Sequence, residues 1–166
     1  MRVVVGTKNA HKVRELQRIL EPLIPGLVLE PSPEDSPLED GDTFSANALI
    51  KARSAFHATG QPALADLDQD NTALLLHEMT GVEDRAAAFV CAAALVHDGG
   101  EVVLERRWEG VLAPGPAGSG GFGYDPIFIP KGYSVTSAEL TPEEKDELSH
   151  RGQAFRAIAP AVLALG

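Results

Sequence analysis

The first residues with a chemical pattern lie between two predicted elements near the N-terminus. Arg2 to Gly6 is a β-branched run that ends in glycine and predicts a buried strand, and the apolar spacing from Ala10 to Leu23 predicts an amphipathic helix. Thr7, Asn9 and Lys12 fall at this junction. A strand-to-helix loop directs amide N–H groups and the positive end of the helix dipole toward an anion, and a lysine adds a cation. The spacing alone leaves two interpretations: phosphate binding, or a capped helix whose lysine faces solvent.

A second group of candidates lies in a glycine-rich segment of the C-terminal half. Gly121 to Pro126 contains Phe122, Tyr124 and Asp125, and its glycines carry no side chain that would block a close approach to the backbone. Aromatic rings in such a loop can stack on a nucleobase, and a carboxylate can accept hydrogen bonds from ring N–H groups. The alternative is that both rings simply pack in the core.

A charged pair follows the next predicted helix. Lys145 lies in that helix, and His150 and Arg151 come directly after it. Imidazole and guanidinium groups donate hydrogen bonds, so the pair could recognise a ring carbonyl. A surface helix cap is the alternative interpretation.

An acidic segment separates the first two predicted helices. Glu30 to Asp42 holds six carboxylates, no basic residue and three prolines, which predicts an extended surface loop. The segment is either a solvated linker or the source of a carboxylate that holds a divalent cation.

Composition restricts the class of protein. With 166 residues, 44% of them hydrophobic, we expect one domain over residues 1–166 with two lobes. A net charge of −10 argues against a nucleic-acid polymer as partner, and one cysteine excludes a disulfide framework. The longest apolar run has 11 residues, fewer than the roughly 18–20 that span a bilayer, so we expect a soluble cytoplasmic protein with no membrane partner.

The elements that must position these residues alternate between strand and helix. Asp42 or Thr43 can cap a helix that ends at Gly60, and Asp98-Gly99-Gly100 predicts a hairpin turn. Thr141-Pro142-Glu143-Glu144 is a strong helix start, and Pro160 predicts a kink or an early end in the last helix. The further predicted elements are strands at Leu27–Leu29, Pro62–Ala65, Ala86–His97 and Glu101–Leu112, and a helix at Asp70–Thr80. The order indicates a mixed α/β sheet.

Several of these motifs, in this order, resemble one known family along nearly the whole chain. Thr7 to Lys12 with Glu15 resembles the family's T-x-N-x-x-K opening, and Thr43 to Ala52 is similar to its T-F-x-x-N-A-x-x-K-A helix. The C-terminal motifs that match are Gly121–Pro126, Ala138–Leu140, Glu143–Lys145 and Ser149–Gly152. The chain thus resembles the inosine/xanthosine triphosphate pyrophosphatase (Ham1-like) family.

The resemblance implies magnesium-dependent hydrolysis of the deaminated purine nucleoside triphosphates ITP, dITP and XTP to monophosphate and pyrophosphate. It implies a homodimer with an α/β fold, an elongated two-lobed mixed sheet flanked by helices, and a nucleotide cleft between the lobes. Glu39 and Asp66 would bind Mg²⁺, with Asp66 as the catalytic residue. The implied substrate-binding residues are Thr7, Lys8, Asn9, Ala10, His11, Lys12, Phe122, Gly123, Tyr124, Asp125, Lys145, His150 and Arg151.

Within this set, the resemblance assigns the triphosphate to Thr7, Asn9, Lys12 and Lys145, and the base to Phe122, Asp125, His150 and Arg151. Phe122 would stack on the base and the other three would read its edge. Inosine and xanthosine carry a keto acceptor at position 6, which donors from His150 and Arg151 can pair, whereas the adenine amino group leaves them unpaired. Each such contact is worth about 10- to 100-fold in discrimination.

The chain departs from the family at its central motif, A-D-D-S-G-L. Ala65-Asp66 matches its start, but Leu67 follows directly, so the second aspartate, which activates water, and the serine-glycine turn have no clear counterpart. Three explanations are open: the natural protein carries a segment that this sequence lacks, the segment is deleted, or Asp66 and Asp68 rebuild the site. A deletion predicts the alternative function, a catalytically impaired purine-nucleotide-binding relative.

Overall fold

The computed structural model describes residues 1–67 and 79–166. The helix predicted at Asp70–Thr80 therefore lies outside the described residues, except for Met79 and Thr80, which form a turn. Asp68 also lies outside them. The described strands are β1 (Arg2–Val5), β2 (Val28–Pro31), β3 (Ala63–Leu67), β4 (Ala86–His97), β5 (Gly100–Leu112) and β6 (Phe128–Pro130). The described α-helices are α1 (Ala10–Leu20), α2 (Phe44–Thr59), α3 (Pro142–Leu148) and α4 (His150–Leu163).

The six strands form one mixed sheet in the order β2-β1-β3-β4-β5-β6. β1 pairs in parallel with β2 and β3, whereas β3–β4 and β5–β6 are antiparallel. The predicted α/β class with a mixed sheet is thus confirmed. The predicted hairpin is also confirmed, because β4 and β5 flank the Asp98–Gly99 turn.

The chain forms two compact units. Unit 1 comprises residues 1–67, 91–106 and 151–166, and the described part of unit 2 comprises residues 79–90 and 107–150. β4 and β5 each contribute residues to both units. The expectation of a single domain over residues 1–166 stays a prediction.

Unit 1 buries both faces of its strands, and the period-two alternation of strand side chains decides which helix each face meets. Cys91, Ala93 and Leu95 of β4 join the cluster that contains α1 and α4. The intervening β4 residues join a second cluster with Ala48 and Ala52 of α2. This second cluster consists mostly of alanines, whose small side chains allow α2 to lie close to the sheet.

Local signals place most boundaries correctly. Thr43 caps α2 by accepting from the amide of Ala46, and Thr141 and Glu144 form a complete capping box at α3. Of the two outcomes predicted at Pro160, a kink or an early end, the end at Pro160 does not occur because α4 continues to Leu163, and the kink stays a prediction. Pro160 is exposed in the last turn, where its missing N–H costs one helical hydrogen bond, and its carbonyl still accepts from Ala164.

None of the helices within residues 1–67 and 79–166 is long and apolar enough to cross a membrane.

Candidate functional site

The polar residues after β1 organise the start of α1. Thr7 Oγ1 accepts from the amide of Asn9 at 3.1 Å, and Asn9 Oδ1 accepts from the amides of His11 at 2.9 Å and Lys12 at 3.3 Å. The capped-helix interpretation is therefore correct about the cap. It is wrong about the lysine, because Lys12 is buried rather than solvent-facing.

The other predicted residues of this segment remain accessible. Lys8 Nζ lies 2.7 Å from Asp35 Oδ1 in an exposed ion pair, and Ala10 is exposed at the first position of α1. His11 is also exposed and lies 3.1 Å from Arg14 Nη2 through its Nδ1 atom.

A buried network of charges, here called the charge cluster, joins Lys12, Glu15, Lys51, Asp66 and Arg151 in unit 1. Asp66 at the end of β3 is its centre: Arg151 Nε donates to Asp66 Oδ2 at 2.8 Å, and Lys12 Nζ lies 3.5 Å from Oδ1. Arg151 Nη1 also donates to Glu15 Oε1 at 3.2 Å. Since buried charges are costly without counter-charges, each carboxylate of the cluster depends on a cation from another element.

The pKa of Asp66 shows which effect dominates in this cluster. Burial raises the pKa of the Asp66 carboxyl, but the positive charges of Lys12, Arg151 and Lys51 lower it, and so does the Arg151 hydrogen bond. The lowering prevails, and the pKa lies well below the usual range. Asp66 is therefore ionised at neutral pH and is a weak proton acceptor.

Lys51 connects the charge cluster to the acidic loop. Its buried Nζ lies 3.4 Å from Oε1 of the half-exposed Glu39. Asn47 holds the adjoining loop, since its side chain accepts from the amide of Gly41 at 2.7 Å and donates to the same residue's carbonyl at 3.2 Å. A Cβ on Gly41 would lie 2.7 Å from Asn47 Oδ1, so this close approach requires glycine.

Glu39 and Asp66 supply the donor chemistry that magnesium requires. The described part of the chain contains no group of three or more His, Cys, Asp or Glu side chains arranged to hold a metal ion. Mg²⁺, however, is usually bound by one or two carboxylates together with substrate phosphates and water. The carboxylates of Glu39 and Asp66, the second kept ionised by its surroundings, fit the role of the protein ligands in such a site.

In unit 2, a buried carboxylate organises the glycine-rich loop. Asp125 Oδ2 accepts from Lys145 Nζ at 2.6 Å and from the amide of Phe122 at 2.9 Å, and Oδ1 accepts from Ser137 Oγ at 2.7 Å. Gly121 has φ +65°, and a Cβ there would collide with Asp125 Oδ2. The loop conformation thus depends on glycine at this position and on Asp125.

The same loop brings a cation to the predicted base-stacking ring. Lys145 Nζ lies 4.8 Å from the centroid of the Phe122 ring, within cation–π range. Gly123 has φ +61°, and Tyr124 is half-buried, 6.3 Å from Phe89.

His150 lies among aromatic rings of unit 2. Its imidazole stacks on Phe89 with centroids 4.6 Å apart and planes 7° apart. Trp108 is 6.1 Å away at 19°, and Phe128 meets the Phe89 ring edge-on at 4.6 Å. We call Phe89, Trp108, Phe128 and His150 the aromatic cluster.

The predicted residues thus fall into two groups. The group in unit 1 contains Lys12, Asp66 and Arg151, and Lys51 links Glu39 to it. The group in unit 2 contains Phe122, Asp125 and Lys145. His150 also lies in unit 2, in the aromatic cluster. The boundary between the units passes between the adjacent residues His150 and Arg151.

Sequence reasoning assigned no role to six residues that complete these groups: Glu15, Lys51, Phe89, Trp108, Phe128 and Ser137. Lys51 carried a usable signal, because it adjoins the alanines that form the buried face of α2. Phe89 gave none, since it lies in an unbroken apolar run.

Comparison with known proteins assigns the family. The Ham1 family model matches residues 3–67 and 66–161. The chain is 42% identical over 196 aligned positions to the dITP/XTP pyrophosphatase of Mycobacterium tuberculosis, covering 99% of this chain and 96% of the relative. The chain belongs to the Ham1 family.

Solved structures agree with this assignment. A HAM1 protein from Coxiella burnetii superposes with a TM-score of 0.82 at 32% identity, covering 99% of each chain. A nucleoside-triphosphatase, named dITP/XTP pyrophosphatase, from Mycobacterium abscessus gives a TM-score of 0.69 at 43% identity, covering 96% of this chain and 100% of the other.

The comparison also locates the departure from the family. An alignment of 196 positions to a chain of 166 residues leaves at least 30 positions of the relative without a counterpart. The family match is divided at residues 66–67, immediately after Asp66. The missing central motif therefore belongs directly beside the charge cluster.

Proposed function

We propose that this chain hydrolyses deaminated purine nucleoside triphosphates, namely ITP, dITP and XTP, to the monophosphate and pyrophosphate. The observation that carries the proposal is the match along 99% of the chain to a relative named dITP/XTP pyrophosphatase. The charge cluster and the Asp125 loop support it, because they supply cations, carboxylates and an aromatic ring of the kinds that a nucleotide requires.

We assign the phosphates to the N-terminal segment and the charge cluster. The capped start of α1 presents backbone N–H groups, and Lys12 and Lys51 are buried cations that an anionic substrate can recruit. Lys8 and His11 remain exposed for additional contacts. Because its pKa is low, Asp66 acts as a fixed negative charge rather than as the base that deprotonates water.

Glu39 and Asp66 are the residues that would hold Mg²⁺. The ion when bound supplies Lewis-acid polarisation of the phosphate oxygens. The chain's own contribution is to keep Asp66 ionised through Arg151 and to retain Glu39 at the half-exposed end of the acidic loop. Water then attacks the α-phosphorus, the bond from this phosphorus to the bridging oxygen breaks, and pyrophosphate leaves.

We assign the base to the Asp125 loop and His150. Phe122 offers a ring face, and Lys145 adds positive charge beside it. Asp125 already accepts three hydrogen bonds, which leaves about one lone-pair direction of its carboxylate for a base N–H. His150 would donate to the position-6 keto oxygen, whereas Arg151 donates to the buried carboxylates of Asp66 and Glu15, which favours a positioning role for this arginine.

The alternative function is a purine-nucleotide binder with impaired turnover, and the family's missing second aspartate motivates it. The names of the relatives favour the enzyme. Pyrophosphate release from ITP and from ATP, with Mg²⁺ and with EDTA, tests the proposal. We expect higher kcat/KM for ITP and loss of turnover in EDTA and in Asp66→Asn. No product from ITP, together with a rise in Tm on adding ITP, would establish the binder instead.

We further propose a cytoplasmic homodimer, as the family resemblance implies. Val111 and Tyr133 of unit 2 are 44% and 43% exposed and both line a cavity of about 770 Å³, and we propose this surface as a candidate for the contact. Light scattering on the purified protein should give twice 17.6 kDa. A mass of 17.6 kDa at micromolar concentration would contradict the dimer.

A further inference from the structure

The orientation of the His150 imidazole is determined by its neighbours in the aromatic cluster. The Phe89 ring covers one face of the imidazole, at 4.6 Å and nearly parallel. Trp108 lies close to both rings, 6.0 Å from Phe89 and 6.1 Å from His150, and is also tilted by less than 25°. Phe128 packs edge-on against Phe89 and obliquely against Trp108, so the ring that supports His150 is itself held.

This packing restricts a torsion that side chains otherwise sample widely. The χ2 angle of histidine side chains has a broad distribution, so the backbone and χ1 alone do not fix the plane of the ring. A parallel ring at stacking distance blocks that rotation, because turning the imidazole would drive its edge into the Phe89 face. The plane of the His150 imidazole, in which its N–H bond lies, is therefore held by Phe89, since this histidine is buried with 3% exposure.

A fixed imidazole plane affects discrimination between purine triphosphates more than it affects the overall affinity for them. A hydrogen bond weakens steeply as the donor angle falls, so a rotating imidazole pairs poorly with any single acceptor. Discrimination between a keto oxygen and an amino group relies on that single contact, whereas phosphate and ring-stacking contacts are shared by all purine triphosphates.

We propose that Phe89 is a specificity-determining positioning residue, which orients the His150 imidazole toward the position-6 substituent of the purine. The inference rests on the proposed function and extends it to a residue outside the substrate contacts. Phe89 acts through His150 and need not touch the nucleotide.

Replacement of the ring provides the test. In Phe89→Leu and the longer, unbranched Phe89→Met, the stacking face is lost, and we expect the ITP-to-ATP ratio of kcat/KM to fall by about 3- to 10-fold, the range that corresponds to one aromatic pair. Phe89→Tyr keeps the ring and should retain the ratio. Phe56→Leu is the matched control, because Phe56 is equally half-buried and meets His57 edge-on in unit 1. Phe56→Leu should leave the ITP-to-ATP ratio of kcat/KM unchanged, even where the substitution lowers Tm.

An NMR measurement separates this inference from the proposed function. The Phe89 ring current should shift the imidazole carbon-bound protons of His150 upfield, with the resonances assigned through His150→Gln. We expect that shift to become smaller in Phe89→Leu and Phe89→Met, where only the more distant Trp108 ring remains, and to persist in Phe89→Tyr. An unchanged ITP-to-ATP ratio in Phe89→Leu and Phe89→Met, in an enzyme that prefers ITP, overturns the positioning role, and so does an unaltered His150 spectrum. A wild-type protein without ITP preference refutes the proposed function instead.

Discussion

Replacement of Arg151 by methionine should destabilise the protein strongly, because it leaves two buried carboxylates without their guanidinium. Asp66 is 1% exposed and Glu15 is 4% exposed, so solvent cannot substitute for the lost charge. Removal of one partner from a buried ion pair costs about 3–5 kcal/mol. Lys12 and Lys51 still act on Asp66, so we expect the lower end, about 3 kcal/mol, and a fall in Tm of about 6–12 °C.

The pH dependence of this loss identifies its cause. In the wild type, the pKa of Asp66 is lowered on folding, so its stabilising contribution is present above the unfolded value of about 3.9 and is lost as pH falls through the folded value. Arg151→Met removes a positive charge and a hydrogen bond and therefore raises the pKa of the buried carboxyl. The stability difference between the two proteins should consequently be largest near pH 7 and shrink as the pH falls through the raised pKa of the variant.

Urea unfolding from pH 7 to about pH 3, below the unfolded pKa of Asp66, followed by circular dichroism, measures this difference. Arg53→Met is the matched control: Arg53 pairs bidentately with Glu101 at 2.7 and 2.6 Å, but its side chain is 48% exposed, and such pairs contribute about 0–1 kcal/mol. A loss in Arg151→Met no greater than in Arg53→Met would refute the reasoning. A large loss that does not vary with pH would show that packing rather than charge is responsible.

Three further substitutions test the local structure of unit 2. Gly121→Ala combines a positive φ with a collision against Asp125, so it should lower the unfolding free energy by at least about 1–3 kcal/mol and raise KM for ITP; a neutral effect in urea unfolding would contradict the loop geometry. Ser137→Ala removes the 2.7 Å donor to Asp125 and should cost about 1–3 kcal/mol, with KM rising more than kcat falls; unchanged steady-state kinetics would exclude a positioning role. Thr141→Ala disrupts the capping box of α3 and should cost about 0.5–2 kcal/mol in calorimetry, whereas Thr141→Ser should be nearly silent, and equal losses would argue against capping.

Boundaries that depend on neighbouring residues could be predicted from the sequence. The caps at Thr43 and Thr141 and the turn at Asp98-Gly99 act over four residues or fewer, so local chemistry determines them. An early end at Pro160 does not occur, because a proline in the final turn of a helix removes a single hydrogen bond, and α4 continues to Leu163.

The sequence by itself also determined the family, because its motifs are short, ordered and carried by residue types. What only the tertiary structure decided is which counter-charge each buried group meets. Arg151 contacts Asp66 across 85 residues and Glu15 across 136, and α1, β3 and α4 must pack before these atoms approach. The same holds for His150 at the start of α4, whose stacking partner Phe89 lies in β4, far from it in the sequence. Local propensity can be predicted from the sequence, because it depends on neighbouring residues. The partners of a buried charge or ring depend instead on how distant elements pack. Because an unpaired buried charge is costly, that packing must supply a counter-charge.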